Sequence, residues 1–72
     1  MKIVVDAMGG DFAPKVNVDG AIDALREYSD MEIILVGPQA LVEDTIAAYA
    51  QPEEMAKVRS RLTVVDAPEV IT

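Results

Sequence analysis

The 72-residue sequence predicts an α/β fold with its elements in the order β-α-β-α-β. Three apolar runs rich in β-branched residues begin near residues 2, 32 and 62, and helix-favouring stretches separate them. A strand with its crossover helix needs a unit of about 30 residues, which matches this spacing. Because such crossovers are right-handed, we expect three parallel strands that form one half of a doubly wound, Rossmann-like sheet.

The first strand is predicted at residues 2–6, where a β-branched run ends in Asp6 and a Gly-Gly pair follows. The first helix is predicted at residues 16–28, after Pro14, because proline is favoured where a helix begins. Apolar side chains recur there at i, i+3, i+4 and i+7, which is the spacing of one buried helix face. These side chains belong to Val18, Ala21, Ile22 and Leu25.

The second strand is predicted at residues 32–36, an unbroken run of four apolar residues with one acid before it. Gly37 and Pro38 follow and lead into a second helix, predicted at residues 39–50. Pro52 disfavours the helical conformation of the residue before it, so this helix is expected to end there.

A short third helix is predicted at residues 53–61, because acids stand at its start and arginines at its end. The third strand is predicted at residues 62–66 and a loop at residues 67–72. In this region Asp66 and Glu69 are interpreted as solvated loop acids. Three basic residues are interpreted as helix-end charges: Lys57, Arg59 and Arg61.

The composition excludes several kinds of site from this chain. It has no Cys and no His, which rules out disulfides, a thiolate nucleophile, a Ser-His-Asp triad and the usual zinc sites. The 13 acidic residues outnumber the 6 basic ones and give a net charge of −7, which argues against nucleic-acid binding. No apolar run approaches a membrane span and no signal peptide is visible, so we expect a cytosolic protein.

The length limits the chain to at most one domain. A chain of this size buries only about 60% of its unfolded surface. The composition offers no disulfide and no usual zinc site to stabilise a small fold. A parallel sheet also needs helices on both faces and partners at its edges. We therefore interpret residues 1–72 as the N-terminal part of a single larger α/β domain, with no internal boundary.

The segment between the first strand and the first helix is the richest candidate site. Asp6 and Asp11 flank Met8 and the pair Gly9 and Gly10, at the edge where parallel sheets bind ligands. Glycines allow close backbone approach, and successive amides beside a helix N-terminus suit an anion such as phosphate. Neither the Walker loop nor the dinucleotide fingerprint is present, and a purely structural turn remains an alternative.

Residues 2–11, with the sequence KIVVDAMGGD, and the Ala-Pro pair at 13–14 closely resemble the start of the bacterial phosphate acyltransferase family of phospholipid synthesis (PlsX). Residues 32–37 and 67–71 also resemble that family, in the right order and at matching spacing. The resemblance covers the whole chain but only the N-terminal portion of a family member, which is several times longer. The DAMGGD string is its most specific part.

The resemblance implies an enzyme that transfers a fatty acyl group from acyl carrier protein to inorganic phosphate, without a cofactor or metal. It implies a three-layer α/β/α fold related to isocitrate and isopropylmalate dehydrogenases, a homodimer, and peripheral membrane attachment through regions beyond residue 72. It also implies catalytic roles for Asp6 and Asp11 and phosphate or oxyanion binding by Met8, Gly9 and Gly10. Relatives often carry His or Asn where this chain has Phe12, which cannot donate, accept or titrate.

Two other functions remain open from the sequence. The chain is consistent with a half-Rossmann module that binds a nucleotide or phosphate ester without acyl transfer, although the glycine fingerprint of that class is missing. It is also consistent with a structural domain whose Gly-Gly turn has no ligand. In the leading interpretation the isolated segment is inactive, since half a sheet cannot enclose both a thioester and phosphate.

Overall fold

Three parallel strands and three helices make up the computed structural model, which describes residues 1–67. The sheet has the order β1-β2-β3. The strands are β1 (Lys2–Asp6), β2 (Glu32–Gly37) and β3 (Leu62–Asp66). The helices are α1 (Lys15–Glu27), α2 (Gln39–Ala47) and α3 (Pro52–Val58), and a 3-10 turn (Arg59–Arg61) follows α3. The predicted β-α-β-α-β order is therefore confirmed.

The element boundaries differ from the prediction by more than one residue at two places. Helix α2 ends at Ala47 rather than at residue 50, and the predicted helix at residues 53–61 is divided into α3 and the 3-10 turn. The strands match the predicted bounds to within one residue. Of the predicted loop at residues 67–72, only Ala67 belongs to the described residues.

The register of the sheet brings the carboxyl ends of all three strands to one edge. Asp6 lies beside Val36 on the neighbouring strand, and Gly37 lies beside Asp66. Two further backbone hydrogen bonds extend the pairing past the strands, from the Ala7 amide to the Val36 carbonyl and from the Ala67 amide to the Gly37 carbonyl, each 2.9 Å long. The loops that leave β1, β2 and β3 therefore start side by side.

The core lies between the helices and one face of the sheet. Alternate strand residues point into it, as strand geometry requires, and meet the apolar stripe of α1. The largest fully buried side chains are Ile22, Leu25, Leu35, Val18 and Val42. On the opposite face Val4 is 67% exposed and Val65 is 45% exposed. Within residues 1–67 the helices thus cover one face of the sheet.

The two arginines that the sequence analysis interpreted as helix-end charges bind groups of other helices. The Arg61 guanidinium donates to the carbonyls of Leu25 (2.8 Å), Tyr28 and Met31 (both 2.9 Å), at and beyond the end of α1. Such donors neutralise the free carbonyls and the negative end of a helix dipole. Arg59 pairs with Glu43 at 2.7 Å, which ties the 3-10 turn to α2.

Tyr49 links the end of α2 to α1. Its hydroxyl donates to Asp23 Oδ1 at 2.5 Å and accepts from Arg26 Nη1 at 2.8 Å, while its ring is buried. The hydrogen bond to Asp23 and the burial of the ring raise the pKa of Tyr49, because both favour the neutral hydroxyl. Folding therefore stabilises the protonated form of this side chain.

Stability is expected to fall at alkaline pH because of this linkage. Folding raises the pKa of Tyr49 above its unfolded-state value of about 10. The stabilisation of the folded state by this side chain is therefore complete below about pH 10 and is lost as the pH rises through the folded-state pKa. Tyr49→Phe should cost about 1 kcal/mol near neutral pH and should flatten the decline above about pH 10. Urea denaturation at several pH values measures both effects. Tyr28→Phe is the control, because that exposed ring lies outside the core. An equally steep decline in Tyr49→Phe would contradict the linkage.

Candidate functional site

The candidate site is the loop at residues 7–14, together with the start of α2 and the end of β3. These segments follow the carboxyl ends of the three strands, where ligands of open parallel sheets bind. Within residues 1–67 no three His, Cys, Asp or Glu side chains come close enough to hold a metal ion. This edge presents backbone amides and the carboxylates of Asp6, Asp11 and Asp66.

Asp6 organises the start of the loop. Its carboxylate Oδ1 accepts a hydrogen bond from the Met8 amide at 2.9 Å, and its carbonyl accepts one from the Gly9 amide at 3.3 Å. The first contact is the Asx turn by which aspartate mimics a backbone turn. The amides of Met8 and Gly9 are thus engaged inside the loop, and the Gly9 bond is long enough to be weak.

The free amides of the loop begin at Gly10. Gly10 has φ of 93°, the left-handed region that glycine adopts without steric cost. A side chain there would meet no atom within 4 Å, so this part of the loop is open. Within residues 1–67 the amides of Gly10, Asp11 and Phe12 have no hydrogen-bond acceptor. Successive free amides of this kind are the donors that anion sites use.

The side-chain amide of Asn17 binds the backbone of the loop, a role that the sequence analysis did not predict. Its side-chain Nδ2 donates to the carbonyls of Asp6 (3.0 Å), Ala7 (3.1 Å) and Gly9 (2.7 Å). These carbonyls all precede the free amides, so one side chain on the first turn of α1 fixes the backbone that presents them. In the sequence, Asn17 lies on the polar face of the predicted first helix, which is typical of a solvent-exposed side chain. Its position near the start of that helix was the available signal of a role in the loop.

The second loop packs tightly against the first. A side chain at Gly37 would come within 3.2 Å of Val42 Cγ2 and 3.3 Å of Ala7 Cβ, which is closer than side chains normally approach. Glycine is therefore favoured here, because a Cβ would force Val42 or Ala7 to shift by a few tenths of an ångström. Asp66, predicted as a solvated acid, is exposed but also accepts from the Gln39 amide at 3.0 Å and so caps α2. Glu69 lies outside the described residues.

The predicted site residues do not all meet at one point. Asp6 and Met8 line a cavity at the carboxyl edge of the sheet, with the start of α2 on its other side. Gly9 and Gly10 form the turn beside it. Asp11 is exposed and has no hydrogen bond or ion pair within residues 1–67, and Phe12 is 76% exposed. Asp6 Oδ1 is thus engaged within the loop, whereas the Asp11 carboxylate has no partner among residues 1–67.

Comparison with known proteins identifies the family. A family model described as "Fatty acid synthesis protein" matches residues 1–72. The chain belongs to this family. Within it, the chain is 44% identical over 72 residues to a phosphate acyltransferase of Clostridium novyi, 47% to one of Alkaliphilus oremlandii and 43% to one of Clostridium beijerinckii. The resemblance carried by the DAMGGD motif is thereby confirmed.

The matches cover the whole chain but only 19–20% of each of these three relatives. The chain therefore spans about a fifth of the length of the family members it matches, and it corresponds to their N-terminal portion. Among the helices of residues 1–67, none combines the length and the apolar character that crossing a bilayer requires.

Proposed function

We propose that these residues form the N-terminal part of a phosphate acyltransferase that transfers a fatty acyl group from acyl carrier protein to inorganic phosphate. The relatives named phosphate acyltransferase support the reaction class. The observation that carries the proposal is the Gly10 amide, which has no acceptor in the described part of the chain and lies in a glycine turn at the ligand-binding edge of a parallel sheet. Such a donor suits either a phosphate oxygen or the oxyanion of an acyl-transfer intermediate.

The reaction needs two things from this loop. An oxygen of phosphate attacks the thioester carbonyl carbon, the carbonyl oxygen becomes an oxyanion, and the carbon–sulfur bond then breaks to release the carrier-protein thiolate. Phosphate must lie close to the thioester, and donors must face the oxyanion as it develops. The amides from Gly10 onward supply donors, and the remaining groups of the site come from other parts of the enzyme.

The two aspartates have different roles in this proposal. Asp6 fixes the turn through its bond to the Met8 amide, so it is a positioning residue. Asp11 is adjacent to Gly10 and has no partner within residues 1–67, so we assign to it the acceptance of a proton from phosphate. The side chain of Phe12 contributes no polar group to either step.

The test is acyl phosphate formation by the full-length enzyme that carries these residues. Phosphate-dependent release of free carrier-protein thiol, with acyl phosphate trapped by hydroxylamine, is the expected result. The 72-residue segment alone should be inactive. Saturable nucleotide binding without acyl phosphate formation would favour the phosphate-ester module instead, and the absence of both would leave the loop a structural turn.

Matched substitutions separate the two aspartates. Asp11→Asn should lower kcat by about 10²-fold, because it removes a proton acceptor without changing shape. Asp6→Asn keeps an oxygen that accepts from the Met8 amide, so its kcat should fall only about threefold and its fold should persist. Steady-state kinetics with thermal melting as the folding control measures the difference. Equal losses in the two variants would remove the proton-accepting role from Asp11.

A further inference from the structure

The cavity beside the glycine turn has an apolar lining that the phosphate-binding role does not explain. It has a volume of about 360 Å³ and lies between the loop after β1 and the start of α2. Its apolar lining comes from Met8, Val36, Pro38, Leu41 and Ala67. Ligand pockets in proteins span about 300–1,000 Å³, so this one holds part of a long ligand rather than the whole of it.

The charge of the cavity disfavours phosphate as its occupant. Among the described residues Asp6 is the charged residue that lines it, and its carboxylate would repel an anion. No lysine or arginine of residues 1–67 lines the cavity. The basic side chains described above are paired elsewhere, for example Arg59 with Glu43. A neutral, apolar group therefore fits this cavity better than phosphate does.

The cavity also lies within reach of the free amides. Met8 lines it, and Gly10 is two residues further along the chain, so their Cα atoms are at most about 7 Å apart. That distance is suited to a substrate whose carbonyl faces the turn and whose hydrocarbon chain extends away from it. Met8 and Leu41 are each 41% exposed, so both side chains have apolar surface left to cover.

We propose that this cavity binds the carbonyl-proximal methylenes of the acyl chain and thereby holds the thioester against the glycine turn. The inference rests on the proposed function and deepens it, because it gives the substrate's chain a place in this segment. Each methylene that enters an apolar site is worth about fourfold in affinity. The preference for longer chains should therefore rise until the cavity is filled and then level off.

The first experiment is a chain-length series with the full-length enzyme and its variant Leu41→Ser. The wild type should show rising kcat/KM from acetyl through butanoyl to octanoyl donors and little further change at hexadecanoyl. Leu41→Ser should lower kcat/KM about tenfold for octanoyl and hexadecanoyl donors and less than about twofold for acetyl. Tyr28→Ser, an exposed apolar truncation at the far end of α1, should match the wild type throughout.

The second experiment locates the chain directly. A pantetheine thioester with a photoreactive diazirine in its acyl chain should label peptides that contain Met8 or Leu41, as read by mass spectrometry. A second probe, with the diazirine on the pantetheine arm, should label other residues. The reverse pattern would assign the cavity to the pantetheine arm, and absence of label from both probes would show that other parts of the enzyme fill it. Either result overturns the proposal.

These outcomes are distinguishable from failure of the proposed function. Unchanged chain-length dependence in Leu41→Ser, with acyl phosphate still formed, would refute the cavity assignment and leave the reaction intact. Labelling of Met8 or Leu41 without any acyl phosphate formation would support the acyl site and refute phosphate as the acceptor.

Discussion

Gly10→Val is expected to reduce acyl phosphate formation by about 10²–10³-fold, which is the usual cost of losing an oxyanion or phosphate donor. The reason is conformational rather than steric, because a side chain at Gly10 would meet no atom within 4 Å. The φ of 93° is instead a conformation that a β-branched residue avoids at a cost of about 1–3 kcal/mol. The turn should therefore rearrange and redirect the amides of residues 10–12.

Gly9→Ala provides a matched control in the same turn. Gly9 does not have a positive φ, and an added Cβ would lie 3.6 Å from the Asp6 carbonyl oxygen, an ordinary contact. This variant should keep kcat within about twofold of the wild type, and Gly10→Ala should lie between the other two. Kinetics of the full-length enzyme, with circular dichroism to exclude unfolding, provides the comparison. Full activity in a folded Gly10→Val variant would remove the free amides from the mechanism.

The strands could be predicted from the sequence because each carries its own local signal. The runs at 2–6 and 62–66 are β-branched and end in aspartate, and the run at 32–36 ends at Gly37. The parallel direction of the strands then follows from the length of the helical crossovers, whereas their order β1-β2-β3 was established by the structure.

The end of α2 could not be predicted because tertiary contacts decide it. Local propensity favours continuing the helix through Ala48 and Ala50. The chain turns at Ala48 instead, and Tyr49 enters the core to bond with Asp23 and Arg26 of α1. These partners lie more than twenty residues earlier, so no reading of local periodicity could include them.

The motif predicted the position of the candidate site, but the hydrogen bonds within it were established only by the structure. The glycine pair marked the loop correctly, yet the sequence treated the two glycines as equivalent. The structure separates them, since the Gly9 amide is bonded to Asp6 and the Gly10 amide has no acceptor among residues 1–67. Asn17 was missed for a similar reason. Helical periodicity places it on the polar face, and only the folded loop brings three carbonyls to it.

Asn17→Asp is expected to destabilise the protein by about 2–3 kcal/mol, although the two side chains have the same shape. The Asn17 amide has two hydrogens for three carbonyl acceptors, at 2.7, 3.0 and 3.1 Å. At least one hydrogen is therefore shared between two carbonyls. Replacing it by a carboxylate oxygen turns every contact into a repulsion between acceptors. The nearby carboxylate of Asp6 adds like-charge repulsion.

The kcat of this variant should report the position of the loop, whereas the free energy of unfolding reports only stability. If Asn17 positions the turn, Asn17→Asp should lower kcat about 10–100-fold under conditions where the full-length variant remains folded, since small displacements of catalytic donors are costly. Lowering the pH should restore part of the loss, because a protonated carboxyl regains one donor. The kcat of a variant that is only destabilised would not recover at lower pH. The kcat–pH profile of the variant, divided by that of the wild type, measures this recovery.

Asp19→Asn is the matched control, because it makes the reverse isosteric exchange on the same helix. Asp19 pairs with Lys15, which is 76% exposed, and such surface pairs contribute about 0–1 kcal/mol. This variant should therefore change both the free energy of unfolding and kcat only slightly, with no acid recovery. If Asn17→Asp behaves in the same way, the three carbonyls are not held by the amide, and the turn must be positioned by the Asx bond of Asp6 alone.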